Sequence, residues 1–378
     1  VALSRKKCVV SVESRITTLK ETFEYYAFAI YSLDRVIGWR GGVRLAGFIV
    51  LLGLICHSTS AVTIDEKIKE AEDYLRIDPS RSLSILQAVP HTRSLTDTQQ
   101  VRWHIAAMRA AVPTGDMKLL IDSLEVVFHH QSHPYFMDKL VSIASGTGIW
   151  LRKHDYLYDA QLSFECSYKY AINDRQRLTL TNSLALLARQ LNDLEKAKSL
   201  YIKAKKMARL ADRKNLLAII ENNQGMIALE EGNITLAEQH FRAALAGYQN
   251  IDKRSGQISA GVNLLFVFVI QQQWINFQRL YQPTETLAQA FQNVAKQSLL
   301  LWLNTRFKHM QGDPLNATEK AQLLSAYQQL DDDRIRALVS LHLAAFMDLD
   351  LPPPSPPKRV RFNRPWFEKV KQCNWEGE

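Results

Sequence analysis

From residue 63 onward, apolar positions recur every three to four residues along segments separated by short polar breaks, with no alternating run that would make a strand. Each break carries Gly, Pro, Asn or Asp, which stop one helix and cap the next. The pattern predicts helices over 64–75, 80–89, 97–111 and 117–128, broken by Asp78-Pro79-Ser80 and by Pro113-Thr114-Gly115-Asp116. Helix hairpins follow over 135–170, 176–208 and 215–248. A strongly apolar helix is expected over 255–273 with Trp274 at its turn, and a shorter one over 284–294. Helices over 296–310 and 317–330, around a Gly312-Asp313 turn, lead to a closing helix over 331–349. The chain reads as all-α.

The clearest unit is 215–248. Its first helix carries Gly225 and Ala228, Gly232-Asn233 makes the turn, and the second helix carries Ala237, Phe241 and Ala244. Small residues are needed where two helices cross closely, and the aromatic is expected to fill the gap against the next hairpin. The order repeats as Gly148, His154-Asp155, Ala160 and Phe164, and as Ala185, Ala188, Asn192-Asp193, Ala197, Tyr201 and Ala204. It resembles the tetratricopeptide (TPR) repeat. Ala160, Ala197 and Ala237 lie 37 and 40 positions apart, against a usual period of about 34, so the resemblance is to the longer-repeat TPR proteins and, with the signal-like segment described below, to an exported bacterial one. It implies a right-handed superhelical solenoid of TPR-like helix hairpins, because one hairpin cannot bury its own apolar face. It also implies a non-enzymatic scaffold that holds a protein or peptide partner in a concave groove.

In that family the first helix of each hairpin lines the groove, and asparagines grip the backbone of an extended peptide. Aligning the units by their turns puts Asn182, Asn222 or Asn223, Asn263 and Asn304 on successive first helices, 40 to 41 positions apart. A side-chain amide both donates and accepts, which suits a peptide bond of any sequence. Arg152 and Arg189 fall at equivalent places one turn further on and make a natural pair for a carboxylate. The plainer alternative is that groove-facing residues are polar whatever their role.

The two ends differ from the helical body. Within 35–61, Arg35, Arg40 and Arg44 precede an apolar run from Leu45 to Cys56 and small polar residues ending at Ala61. The run is too short to cross about 30 Å of hydrocarbon and has the layout of a secretory signal cleaved near Ala61-Val62, which predicts a periplasmic or secreted protein. A short membrane anchor and a buried helix are the alternatives, and Ile55 before Cys56 disfavours lipidation. No Met precedes Met108 and the first residue is Val1, as expected of a non-standard start codon, with Val36 and Val43 as later starts. The division is therefore 1–61 extension and signal, 62–350 solenoid, and 351–378 tail. After Leu351, five prolines in six residues give an extended linker, followed by a basic stretch with Phe362, Trp366, Phe367 and Trp375 interleaved. Such a tail either lies back on the last helices or docks on a membrane or receptor.

Composition narrows function mainly by exclusion. The 378-residue chain carries a formal net charge of +9, but eight basic against four acidic residues stand before Val62 and more of the excess is in the tail. The helical body is too weakly basic for a dedicated nucleic-acid surface. No phosphate-cradling Gly-rich loop, Gly-x-Ser-x-Gly elbow or His-Glu-x-x-His occurs, so neither catalytic residues nor a cofactor are expected. His129 and His133 could share a helix face, yet Pro134 ends the helix immediately and zinc needs three or four ligands, so no metal is expected. Of four cysteines, Cys8 and Cys56 would leave with the signal; Cys166 and Cys373 remain, either as a pair or as two idle thiols. Three functional classes stay open: an exported peptide-binding scaffold in envelope assembly or signalling, a sensory accessory acting on a membrane receptor kinase or cyclase, and a cytoplasmic peptide-responsive regulator.

Overall fold

The computed structural model describes residues 63–89, 95–290, 293–330, 333–352 and 360–375. The expected signal within 1–61 and the proline linker over 353–359 lie outside the described residues. Sixteen α-helices, and no strand, occur among those described. They are α1 (Ile64–Tyr74), α2 (Pro79–Gln87), α3 (Asp97–Thr114), α4 (Met117–His129), α5 (Pro134–Lys153), α6 (Leu157–Lys169), α7 (Asp174–Gln190) and α8 (Leu194–Leu210). There follow α9 (Lys214–Glu230), α10 (Ile234–Asn250), α11 (Arg254–Ile270), α12 (Trp274–Ala290), α13 (Val294–Met310), α14 (Ala317–Gln328), α15 (Asp333–His342) and α16 (Phe367–Gln372), with a short 3₁₀ turn over Ala344–Met347. Through α14 they pack as consecutive pairs, so the fold is an all-helical solenoid of TPR-like hairpins.

One local device makes each hairpin turn from α3–α4 to α13–α14. The first helix ends at a residue in the left-handed region: Gly115, Asp155, Asn192, Gly232, Gln272 or Gly312. The next residue's N–H then reaches back to a carbonyl five positions earlier, as from Tyr156 to Leu151, Asp193 to Ala188 and Asn233 to Ala228. This bond pattern satisfies carbonyls that a helix end leaves open. Asp116, Asp193 and Asn233 also cap the following helix through their side chains.

The small residues act within the hairpin. A Cβ on Gly225 would stand 2.6 Å from the Phe241 ring, and one on Gly148 would stand 2.7 Å from Phe164. The aromatic of the second helix therefore fills the crossing with its own first helix, not the gap to the next unit as the pattern suggested. The ring sits where the missing side chain lets two backbones approach.

First helices α3, α5, α7, α9, α11 and α13 each touch the next first helix, whereas second helices meet mainly their flanking first helices. The first helices thus form the tighter, inner layer. Across its later half runs α15: Arg334 pairs with Glu230 of α9 and bonds Asn192, the His342 ring is edge-on to Phe266 of α11, and the Phe346 carbonyl accepts from Arg306 of α13. Apolar residues of α9, α11 and α13 share one core with Ile335, Leu338, Val339, Leu343 and Met347. The closing helix is broken at His342 and folds back over the inner face, so α11 is buried along nearly its whole length.

Two prolines lie inside helices: the break expected over 113–116 begins only after Thr114, and the helix expected over 284–294 falls within α12 up to Ala290. Pro113 lies in the last turn of α3, where the Thr114 hydroxyl donates to the Ala110 and Ala111 carbonyls. Pro283 lies inside α12, where Thr284 donates to the Leu280 carbonyl. Trp274 begins α12 instead of closing the turn before it.

The tail does not lie on the last helices. It docks on α4 to α6, more than 200 positions earlier, through a disulfide between Cys166 and Cys373, whose Cα atoms are 5.4 Å apart. Trp366 stacks on Phe128 with ring centroids 4.3 Å apart, Phe362 meets Trp150 and Tyr156, and Trp375 meets Phe136. Asp159, fully buried in α6, accepts from Arg361 Nη1 at 2.9 Å and from the Phe362 N–H at 2.7 Å. The Trp366 indole donates to Glu125 at 2.7 Å. The aromatic and basic residues that read as a membrane or receptor contact are thus largely spent inside the chain.

Candidate functional site

Helices α7, α9, α11 and α13 are each 17 residues long and start 40 positions apart, which gives the inner layer a common ruler. Asn182 and Asn222 occupy the ninth place of α7 and α9, Asn223 and Asn263 the tenth of α9 and α11, and Asn304 the eleventh of α13. A helix turns about 100° per residue, so the five asparagines trace a spiral across successive helices, not one straight row.

Their surroundings divide them. Asn263 is buried and donates to Asn222 Oδ1 at 3.0 Å, a contact that ties α11 to α9. Asn223 lies beside the buried Tyr201 ring, whose hydroxyl is pushed well above its usual range by burial. Asn182 and Asn304 are half-buried, and Asn182 Oδ1 and Gln224 Oε1 are buried acceptors with no hydrogen-bond partner among the described residues.

The two arginines are engaged. Arg189 bonds Glu230 Oε1 through Nε at 2.8 Å and Nη2 at 2.6 Å, and both side chains are under one-tenth exposed. Glu230 also takes Arg334, so the carboxylate that Arg189 was expected to receive from a ligand is supplied by the chain itself. Leaving either charge of such a pair alone costs about 3–5 kcal/mol, which makes the pair a structural clamp between repeats. Arg152 Nη1 donates to Gln190 Oε1 at 3.3 Å, bridging α5 and α7.

With α15 over the later repeats, the cavity on the inner layer is among α3, α5 and α7. It measures about 340 Å³ and is lined by Met108, Val112, Ile149 and Leu180, by Ser142, Ser145, Gln176 and Thr179, and by Arg76, Arg109 and Arg175. Ser145 stands 37 positions before Asn182, the step that separates these two repeats, so the cavity continues the face the asparagines begin. Motif alignment missed the three arginines because each belongs to a different part of its repeat. Their spacing of 33 and then 66 positions was the available signal.

His133 caps α5, its Nδ1 accepting from the Tyr135 N–H, and its Nε2 lies 3.1 Å from Thr98 Oγ1. Among the described residues no three His, Cys, Asp or Glu side chains converge, and no helix is long and apolar enough to cross a membrane.

No family model matches the chain, and no curated protein matches it. Solved structures do. A Rap protein complexed with competence and sporulation factor is 12% identical with a TM-score of 0.59, over 88% of this chain and 93% of that one. NprR in complex with its cognate peptide NprX is 17% identical with a TM-score of 0.56, over 83% and 90%. The shared feature is the TPR-like helical-repeat fold. At these identities the likeness extends to the fold alone.

Proposed function

We propose that the chain is a non-enzymatic, peptide-responsive regulator that binds a short peptide on its inner helix layer and acts on a partner protein. The observation that carries the reading is the polar inner face with buried acceptors, Asn182 Oδ1 and Gln224 Oε1, that lack a donor. An unpaired buried acceptor costs about 1–3 kcal/mol, and a peptide N–H relieves that cost whatever the peptide's side chains. The two similar structures, each with a peptide or signalling factor bound, support the same class. The expected groove set narrows on this reading to Asn182, Asn223 and Asn304, with Asn222, Asn263, Arg152 and Arg189 holding the repeats in register.

The test separates those two groups. The full chain is probed with an array of random heptapeptides, alongside Asn182→Ala with Asn304→Ala and, separately, Asn263→Ala. The double variant is expected to lose binding while keeping its melting temperature, and Asn263→Ala to lower the melting temperature while binding the same peptides. Unchanged peptide recovery by the double variant rejects the groove assignment.

A second reading concerns compartment. The disulfide favours an oxidising location, since cytosolic thiols are kept reduced, and it supports the exported form of the proposal, with 1–61 as a leader and 62–350 as the working solenoid. Mass measurement of the N-terminus in the native host tests this: an uncleaved chain with reduced cysteines in the cytosol rejects export and leaves the peptide reading standing.

A further inference from the structure

The cavity among α3, α5 and α7 has a charge pattern that the asparagine face does not explain. Arg76 comes from the α1–α2 connection, Arg109 from α3 and Arg175 from the first turn of α7, and all three line the same space. Within the described residues none of their side chains makes an ion pair or hydrogen bond, and the lining contains no Asp or Glu. The nearest carboxylate that acts on Arg109, Glu72, is already held by Arg102 Nε and Nη2 and by the Tyr135 hydroxyl.

Three like charges around one cavity repel each other. Burial pushes the Arg109 guanidinium below its usual range, and Arg76 and Arg175 push it further. Arg76 and Arg175 are exposed at the cavity rim, and Arg175 is lowered by partial burial, with Arg76 and Arg213 adding to it. A fold that needed only a polar rim would gain by placing one acid there. A guanidinium fork matches a carboxylate with two parallel bonds, and desolvation strengthens the match.

We infer that this cavity is an anion subsite that takes the carboxylate of a bound peptide, with the adjoining apolar side chain over Met108, Val112, Ile149 and Leu180. The inference rests on the peptide reading above and specifies its ligand. Aliphatic flooring favours a peptide over a nucleotide, because no aromatic ring lines the cavity to stack a base. Ser142, Ser145, Gln176 and Thr179 supply donors and acceptors for the backbone leading to the carboxylate. The α7 N-terminus beside Arg175 adds a favourable field for an anion. Both a free C-terminus and an Asp or Glu side chain offer the required group.

The experiment uses the full chain and an array of random heptapeptides, each made as the free acid and as the C-terminal amide, with Asn or Gln replacing any Asp or Glu in a third set. Binders are expected to lose at least tenfold in affinity when their anionic group is removed; which set fails tells the C-terminal source from the side-chain source. Arg109→Gln and Arg175→Gln are expected to lose at least tenfold for the same peptides, with unchanged helical content by circular dichroism and a melting temperature equal to or above wild type, since repulsion is relieved. Binders indifferent to charge, or an Arg109→Gln variant that binds them as wild type does, overturn the carboxylate subsite and leave the peptide reading intact. An array with no binder overturns both.

Discussion

Breaking the Cys166–Cys373 bond is the perturbation whose size the structure allows to be worked out. The bond joins residues 207 positions apart. In the chain-entropy account a cross-link removes freedom from the unfolded chain in proportion to the logarithm of the loop it closes, which for this separation is about 5 kcal/mol. The native state should change little, because Phe362, Phe367, Val370 and Trp375 remain buried and Asp159 keeps its two donors without the bond. Nearly all of the effect should therefore appear as lost stability. With an unfolding entropy of about 2 cal/mol/K per residue, a solenoid of this length would melt about 8 °C lower. The assay compares thermal melts of the oxidised chain, the same chain in reductant, and Cys373→Ser. In the denatured, unreduced full chain two of the four cysteines should titrate as free thiols. Melts of oxidised and reduced chain that agree within about 1 °C, or four titrating thiols, refute the reasoning.

Two further perturbations address the body of the fold. Phe241, fully buried against Gly225, has no side chain able to replace it at that crossing, so Phe241→Ala is expected to lower stability by about 3–5 kcal/mol, measured by urea denaturation. His104 is pushed down to about 4 by burial, with the charge of His130 adding, and its Nδ1 lies 3.4 Å from the buried Ser123 hydroxyl. Its folded value is below the unfolded one near 6.5, so the unfolded chain takes the proton first and stability falls as pH drops from about 6.5 towards 4, by at most about 3 kcal/mol. His104→Asn should flatten that part of the wild-type pH profile; an unchanged slope assigns it to other groups.

The repeats were legible because their signals are local. A left-handed residue, a capping Asp or Asn and a small residue one helix away all fall within one hairpin, so the turn at Gly232-Asn233 can be read from its neighbours alone. The fold-back of α15 and the tail were not legible, since both depend on partners from 40 to more than 200 positions distant. Arg334 looks like a solvated charge until Glu230 and Asn192 are placed beside it. Asp159 and Glu125 look like surface acids on second helices until Arg361 and the Trp366 indole arrive. The site divided the same way: amide-bearing positions could be counted from the turns, but that Asn263 faces Asn222 is decided by how α11 packs on α9. The cysteines showed the limit most plainly, because pairing needs a distance and the sequence offers only a separation.

The tail and the cavity meet in the same two hairpins. Helices α4 and α6 are the outer partners of α3 and α5, and the tail's rings and the disulfide fill the space between them. The inner faces of α3 and α5 carry Arg109, Ser142 and Ser145. In the second of these hairpins Gly148 lets α5 and α6 approach closely against Phe164, so bracing on the outer helix bears on the inner one. This also accounts for the uneven use of the inner layer. Over α9 to α13 the layer is crossed by α15, and Asn222 and Asn263 there bond one another. Over α3 to α7 it is braced from outside and left open within, and there the arginines stand unmatched by any acid of their own.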